Sequence, residues 1–304
     1  MKKSIFAVLS FAVLASCSAN STKAKGVMIT GSDYDPNGGA DGYSNAGDHA
    51  SNPYYTNPDF YNMTSNDHLT ILAQYATFIQ TTEYTCGPAS ALTVLYHYGI
   101  TRYTEWDLAI GMHTSADEQT NGEPGTADEY GEYGTSVQKM YDFFSTVSDI
   151  AVVESSYVSS YTDDQLVQAG EGAPADVGNL PATFDWWAMY ASGIDGNGDP
   201  IYVDDGKDSL FVSWVIDHLS DNQPIMVEWG DWDGHWQAII GYDTMGTPSV
   251  GDDMIVFADP YDTSDQWQDG YYYYPAERFF YMWQDRAVAP KPFQLQPYMI
   301  IDVK

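Results

Sequence analysis

Basic residues are scarce in this 304-residue chain: 11 Lys and Arg stand against 43 Asp and Glu, a formal charge of −32. Such a surface repels nucleic acid and anionic lipid head groups, so neither is expected as a partner. Cysteine is scarcer still, with only Cys17 and Cys86. A disulfide framework is thereby excluded, and any sulfur chemistry rests on two positions. After the first residues no run approaches the roughly 20 apolar residues that a spanning helix needs. No phosphate-cradling Gly-Lys-Ser/Thr pattern and no internal repeat occurs, so neither a nucleotide nor another cofactor is expected.

What is present begins with Met1-Lys2-Lys3 and an apolar stretch too short to span a bilayer, followed by small residues, which reads as an export signal over residues 1–16. Leu14-Ala15-Ser16-Cys17 resembles the lipobox of bacterial lipoproteins. That resemblance implies cleavage before Cys17 and a lipid on its sulfur, with Ser18 in place of Asp favouring the outer membrane if the cell has two. The expected location is the bacterial cell envelope, outside the cytoplasm, with the lipid as the only contact to membrane. Losing Lys2 and Lys3 leaves 9 basic residues and a charge of −34. With Cys17 acylated, Cys86 has no partner for an intramolecular disulfide in a compartment that permits one, and a free thiol there is a liability without a function.

Residues 17–68 are rich in Gly, Asn, Asp and Tyr with almost no aliphatic periodicity, and read as an acidic tether. His49 and His68 lie in it or at its edge and are expected to be solvated. From Leu69 onward the pattern is that of a folded domain. Helices are predicted over 86–99, 104–110, 137–144 and 211–219, and strands over 150–153, 224–229, 236–242, 254–258, 270–274 and 297–302. Helices first and antiparallel sheet second make an α+β fold. Residues 154–208 are expected to be an irregular insert. Within them Asp195, Asn197 and Asp199 resemble the start of a calcium loop, but Pro200 replaces the turn glycine and Gly206 stands where the bidentate Glu belongs, so an acidic turn is the plainer expectation.

Cys86 precedes Gly87-Pro88 and an apolar helical run that closes at Gly99. A cysteine at a helix start feels the positive end of the macrodipole, which favours the reactive thiolate; the bland alternative is a small buried hydrophobe. His97 lies 11 residues along the same helix, roughly 16 Å away, too far to act as base. His218, on the 211–219 helix, is expected to lie at the surface or to pack rather than to act in catalysis. His235 follows Gly234 at the mouth of a buried strand, where a functional side chain reaches a cleft. If 236–242 and 254–258 form a hairpin, positions 235 and 259 are symmetric about 247, and Asp259 stands opposite His235. Asp243, the competing carboxylate, is eight residues of extended chain from His235, roughly 26 Å. Asp259-Pro260 reads equally as a turn starter. The Gln80 amide, six residues before Cys86, is of a type that donates to a developing oxyanion.

Gln80 with five residues before Cys86-Gly-Pro-Ala-Ser90, then Tyr96-His-Tyr-Gly99, Gly134-Thr-Ser136, Gly234-His235-Trp-Gln-Ala-Ile-Ile-Gly-Tyr-Asp243 and Ala258-Asp259-Pro260 are similar to the papain-like family of bacteriocin-leader-processing (double-glycine) peptidases and their stand-alone relatives. The resemblance covers residues 69–304. It implies a papain-like fold, with a helical lobe carrying the nucleophile and an antiparallel sheet lobe. It also implies cysteine peptidase chemistry on a peptide or protein substrate, with Cys86 as nucleophile, His235 as base, Asp259 as orienter and Gln80 as oxyanion donor. Transporter-fused members carry membrane and ATPase domains that this sequence lacks, so leader processing during export is not expected. The competing expectations are a cell-wall peptide amidase or acyl transferase, and a non-catalytic binding lipoprotein on the same scaffold.

Overall fold

The computed structural model describes residues 27–29, 58–114, 134–157, 183–230, 234–262, 269–284 and 295–304. The leader, Cys17 and His49 lie outside the described residues. In chain order the elements are β1 (Val27–Ile29), β2 (Leu69–Ile71), β3 (Thr77–Ile79), α1 (Cys86–His97), α2 (Glu105–Gly111), α3 (Val137–Thr146), β4 (Ile150–Ser155), β5 (Ala191–Ile194), β6 (Pro200–Tyr202), α4 (Leu210–Ser220), β7 (Ile225–Trp229), β8 (His235–Asp243), β9 (Met254–Ala258), β10 (Tyr271–Pro275), α5 (Ala276–Met282) and β11 (Tyr298–Val303). The α+β class follows directly from these elements. Every predicted helix and strand has its counterpart within two residues at each end. The short strands β1, β2 and β3 were not expected, nor were two further features. The insert carries an antiparallel hairpin, β5 with β6, and α5 follows the tyrosine-rich β10 without a break.

Antiparallel strands run in the order β10-β9-β8-β7-β11-β4, and β2 pairs with β8 beyond the end of β7. The sheet is therefore not confined to the C-terminal part, as a strict division into helical and sheet lobes requires. Strand length supplies the reason. The nine residues of β8 outrun the five of β7, and Leu69–Ile71 cover the edge left beside Gly241–Asp243. In the same way β4 covers the outer edge of β11. Segment 27–29, inside the stretch read as tether, pairs in parallel with β3.

All nine residues of β8 are buried, so this strand is covered on both faces at the centre of the domain. Helix α1 packs against it, buried from Cys86 through Leu95. Pro88 stands third in α1, inside the first turn where its missing N–H has no intrahelical use. Gly99 ends the helix at φ +76°, and the Ile100 N–H donates back to the Leu95 carbonyl at 2.9 Å. Ser136 and Ser209 cap α3 and α4 through their hydroxyls, and Thr104 with Asp107 forms a capping box on α2. Trp229, Phe257, Phe279, Trp283 and Phe211 pack ring against ring beside the sheet, in the same continuous core as the helices. Among the described residues no helix is long and apolar enough to cross a membrane.

Candidate active site

The register of β8 against β9 decides what faces His235. Near the turn Asp243 pairs with Met254 and Gly241 with Val256, whereas farther along Ile239 pairs with Phe257 and Ala238 with Ala258. Ile240 is thus the extra residue of a bulge. Continued to the strand ends, the ladder puts Asp259 opposite Gln237, two positions from the expected partner but on the same face as His235. Without the bulge Asp259 falls opposite Ala238 and points to the other face. The expected pair forms, but diagonally: His235 Nε2 lies 2.6 Å from Asp259 Oδ1. That oxygen also accepts the Tyr261 N–H at 2.9 Å. Asp259-Pro260 is therefore both a turn starter and the partner of His235.

Cys86 is the first residue of α1 and is 8% exposed. It is among the groups that raise the His235 ring. Because Nε2 is committed to Asp259, Nδ1 is the ring nitrogen left for the sulfur. Burial opposes a charge on the His235 ring, yet the Asp259 carboxylate and then Cys86 outweigh it and push the ring up to about 10. His235 and Asp259 are almost wholly buried, so little water screens the attraction between them. The first turn of α1 itself holds no acidic residue. The helix start is held by two further contacts: Ser90 Oγ donates to the Trp236 carbonyl at 2.9 Å, and Trp236 Nε1 donates to the Thr135 carbonyl at 2.7 Å.

Gln80 is buried beside this set, its backbone N–H donating to the Pro260 carbonyl at 2.8 Å. Its Nε2 donates to the Thr82 carbonyl at 2.7 Å, and its Oε1 has no hydrogen-bond partner. A carbonyl acceptor fixes the amide orientation, since the flipped form sets two oxygens against each other. One Nε2 hydrogen is thus used within the loop and the second remains as a donor.

The remaining sequence candidates are placed elsewhere. His97 Nε2 is 3.0 Å from Asn222 Oδ1 and its ring stacks on Tyr75, away from Cys86 as helix geometry requires. His218 takes the packing alternative, Nδ1 at 2.8 Å from Gln223 Oε1 and Nε2 at 3.3 Å from Glu154. His68 is exposed, as expected, and its Nδ1 lies 2.7 Å from Asp243 Oδ1, which ties the competing carboxylate to the far end of β8. Asp195 Oδ1 accepts the backbone N–H groups of Asn197 and Asp199 at 2.8 and 3.0 Å, so the calcium-loop candidates form an acidic turn that consumes its own carboxylate. Among the described residues no group of three or more His, Cys, Asp or Glu is arranged to hold a metal ion. A cavity of about 310 Å³ bounded by Tyr190, Asp204, Val250 and Glu277 shares no residue with the Cys86 set.

Thr135, Trp236, Tyr261 and Glu105 support the site; the first two stand in the motifs quoted for the resemblance but were given no role, and the last two were not singled out. Only Tyr261 carried a local signal, as the residue two after an Asp that starts a turn. No family model, no curated protein and no solved structure matches this chain.

Proposed function

We propose that this chain is a cysteine peptidase of papain-like architecture, lipid-anchored through Cys17 on the outer side of a bacterial membrane. The single observation that carries the reading is the buried His235–Asp259 pair, its ring at a strand start and raised in part by Cys86 at a helix start. His235 takes the Cys86 proton on Nδ1, and Asp259 holds the ring through Nε2 and stabilises the imidazolium. The sulfur attacks a peptide carbonyl, and the negative oxygen that forms is met by the free Gln80 N–H and the helix start. His235 then returns the proton to the departing amine, which leaves a thioester. A water molecule, deprotonated by His235, releases the acid and restores the thiol.

The test is incubation of the purified chain with a diverse peptide library, read by mass spectrometry, beside Cys86→Ala. Cleavage by the parent that vanishes in Cys86→Ala supports the reading; cleavage that survives the substitution overturns it.

A further inference from the structure

Glu105 opens α2 as a helix-start acid, yet its side chain is not at the surface: the residue is 1% exposed. Its Oε1 receives the Thr81 backbone N–H at 3.0 Å and the Thr85 hydroxyl at 2.5 Å. Thr81 and Thr85 are the two ends of the segment that joins Gln80 to Cys86. Within it, Thr82 Oγ1 is 2.8 Å from Thr85 Oγ1, and the Thr82 carbonyl holds the Gln80 amide. One carboxylate oxygen therefore ties both ends of the segment, and a chain of three short contacts runs from Glu105 to Gln80. The arrangement also explains why Thr85, in the N-cap position of α1, makes no side-chain cap bond: its hydroxyl is turned to Glu105. A buried carboxylate costs free energy unless its bonds are made, so a structure that only needed a filler here has cheaper choices.

We infer that Glu105 is a positioning residue, fixing the separation of the Gln80 amide from the Cys86 sulfur so that the oxyanion formed at the substrate carbonyl meets its donor. This deepens the peptidase reading and rests on it for the role of Gln80. Misplacing a donor by about 1 Å is enough to cost on the order of 100-fold in rate.

The test compares the full chain with Glu105→Ala, Glu105→Gln and Glu105→Asp. The readouts are kcat and KM on a cleaved peptide, the iodoacetamide alkylation rate of Cys86, and amide hydrogen exchange over 80–86. Glu105→Ala is expected to lower kcat about 10- to 100-fold with KM within about twofold. Alkylation should stay within about threefold, because a small alkylating agent makes no use of Gln80. Exchange at Thr81 should quicken without spreading through the domain. Glu105→Gln, whose amide oxygen accepts both bonds, should recover kcat to within about fivefold, and the shorter Glu105→Asp should not. Unchanged kcat, or equal losses of kcat and alkylation, overturns the inference. Should Glu105→Ala fail to fold, equal kcat in the Gln and Asp variants does the same. If the parent cleaves no peptide, the peptidase reading falls and exchange alone decides Glu105: quickening limited to 80–86 supports the anchor, while no change or a domain-wide loss of protection overturns it.

Discussion

His235 and Asp259 meet at 2.6 Å across strands whose ladder sets Gln237, not His235, opposite Asp259. The pair is a diagonal one, within reach because a histidine and an aspartate two positions out of register share a face. What puts them there is one extra residue, Ile240, since the register nearer the turn sends Asp259 to the other side of the sheet. Gly241, next to the bulge, lets the strands close up: a Cβ on it meets Ile71 and Val256 side-chain atoms at 3.1 Å.

Because the ladder passes over Ile240, deleting it is expected to leave the pair in place: Ile239 on Phe257 and Gly241 on Val256 become consecutive pairs, and Asp259 stays opposite Gln237 on the face of His235. NMR titration of His235 in the deletion variant should show a ring that stays raised. A ring that titrates near its ordinary value overturns this register.

The pH profile follows from the same pair. His235 is held at about 10 against an ordinary 6.5, so the stability it contributes is complete below about 6.5 and is lost as pH rises through about 10. Peptide cleavage is expected to hold through neutral pH and to decline through about 10 as the imidazolium loses its proton. Asp259→Asn keeps an acceptor but removes the charge; the alkaline limb should move down toward 6.5 and kcat should fall about 100-fold or more. An alkaline limb that does not move in Asp259→Asn would remove that carboxylate from the mechanism.

Close approach at the start of α1 makes Gly87 sensitive. A Cβ there stands 2.7 Å from Thr135 Cβ and 2.9 Å from its hydroxyl, and the Thr135 carbonyl is the anchor of Trp236. Gly87→Ala is expected to lower stability by about 1–3 kcal/mol, as overpacking does. Thr135→Gly in the same chain removes the opposing side chain and should recover most of the loss, a coupling that chemical denaturation of the two single variants and the double variant measures.

Asp253 is expected to act on stability alone. Burial first, and then the neighbouring carboxylates Asp252, Asp243 and Asp205, raise it to about 6 from 3.8, while the Tyr242 hydroxyl at 2.7 Å works in the other direction. A raised carboxyl favours the folded state below about 3.8, and that advantage is lost as pH rises through about 6. Asp253→Asn still accepts from Tyr242 and carries no charge, so it should stabilise the protein by roughly 1 kcal/mol at pH 7.5 and leave it nearly unchanged near pH 4. Thermal melts at the two pH values check the difference; equal shifts at both contradict the assignment.

Local chemistry made the site legible in part. Cys86 before Gly87-Pro88, the close of α1 at Gly99 and His235 after Gly234 are written in neighbouring residues, because caps, prolines and glycines act over one or two turns. Glu105 carried no such mark. Nothing in Thr104-Glu-Trp-Asp separates a helix-start acid that stays in water from one that turns inward to hold Thr81 and Thr85, some 20 residues back along the chain. His68 with Asp243, 175 residues apart, was hidden for the same reason.

By itself the sequence determined the α+β class, the order of the four helices and six strands it marks, the place of the thiol at a helix start and the exclusion of His97 as base, since each follows from periodicity or from distance along one element. Only the tertiary structure decided the bulge at Ile240, the diagonal meeting of His235 with Asp259, the entry of β2 and β4 into the sheet and the inward turn of Glu105. Strand register and side-chain direction are settled by which faces can be buried together, and a chain does not carry that information until it has folded against itself.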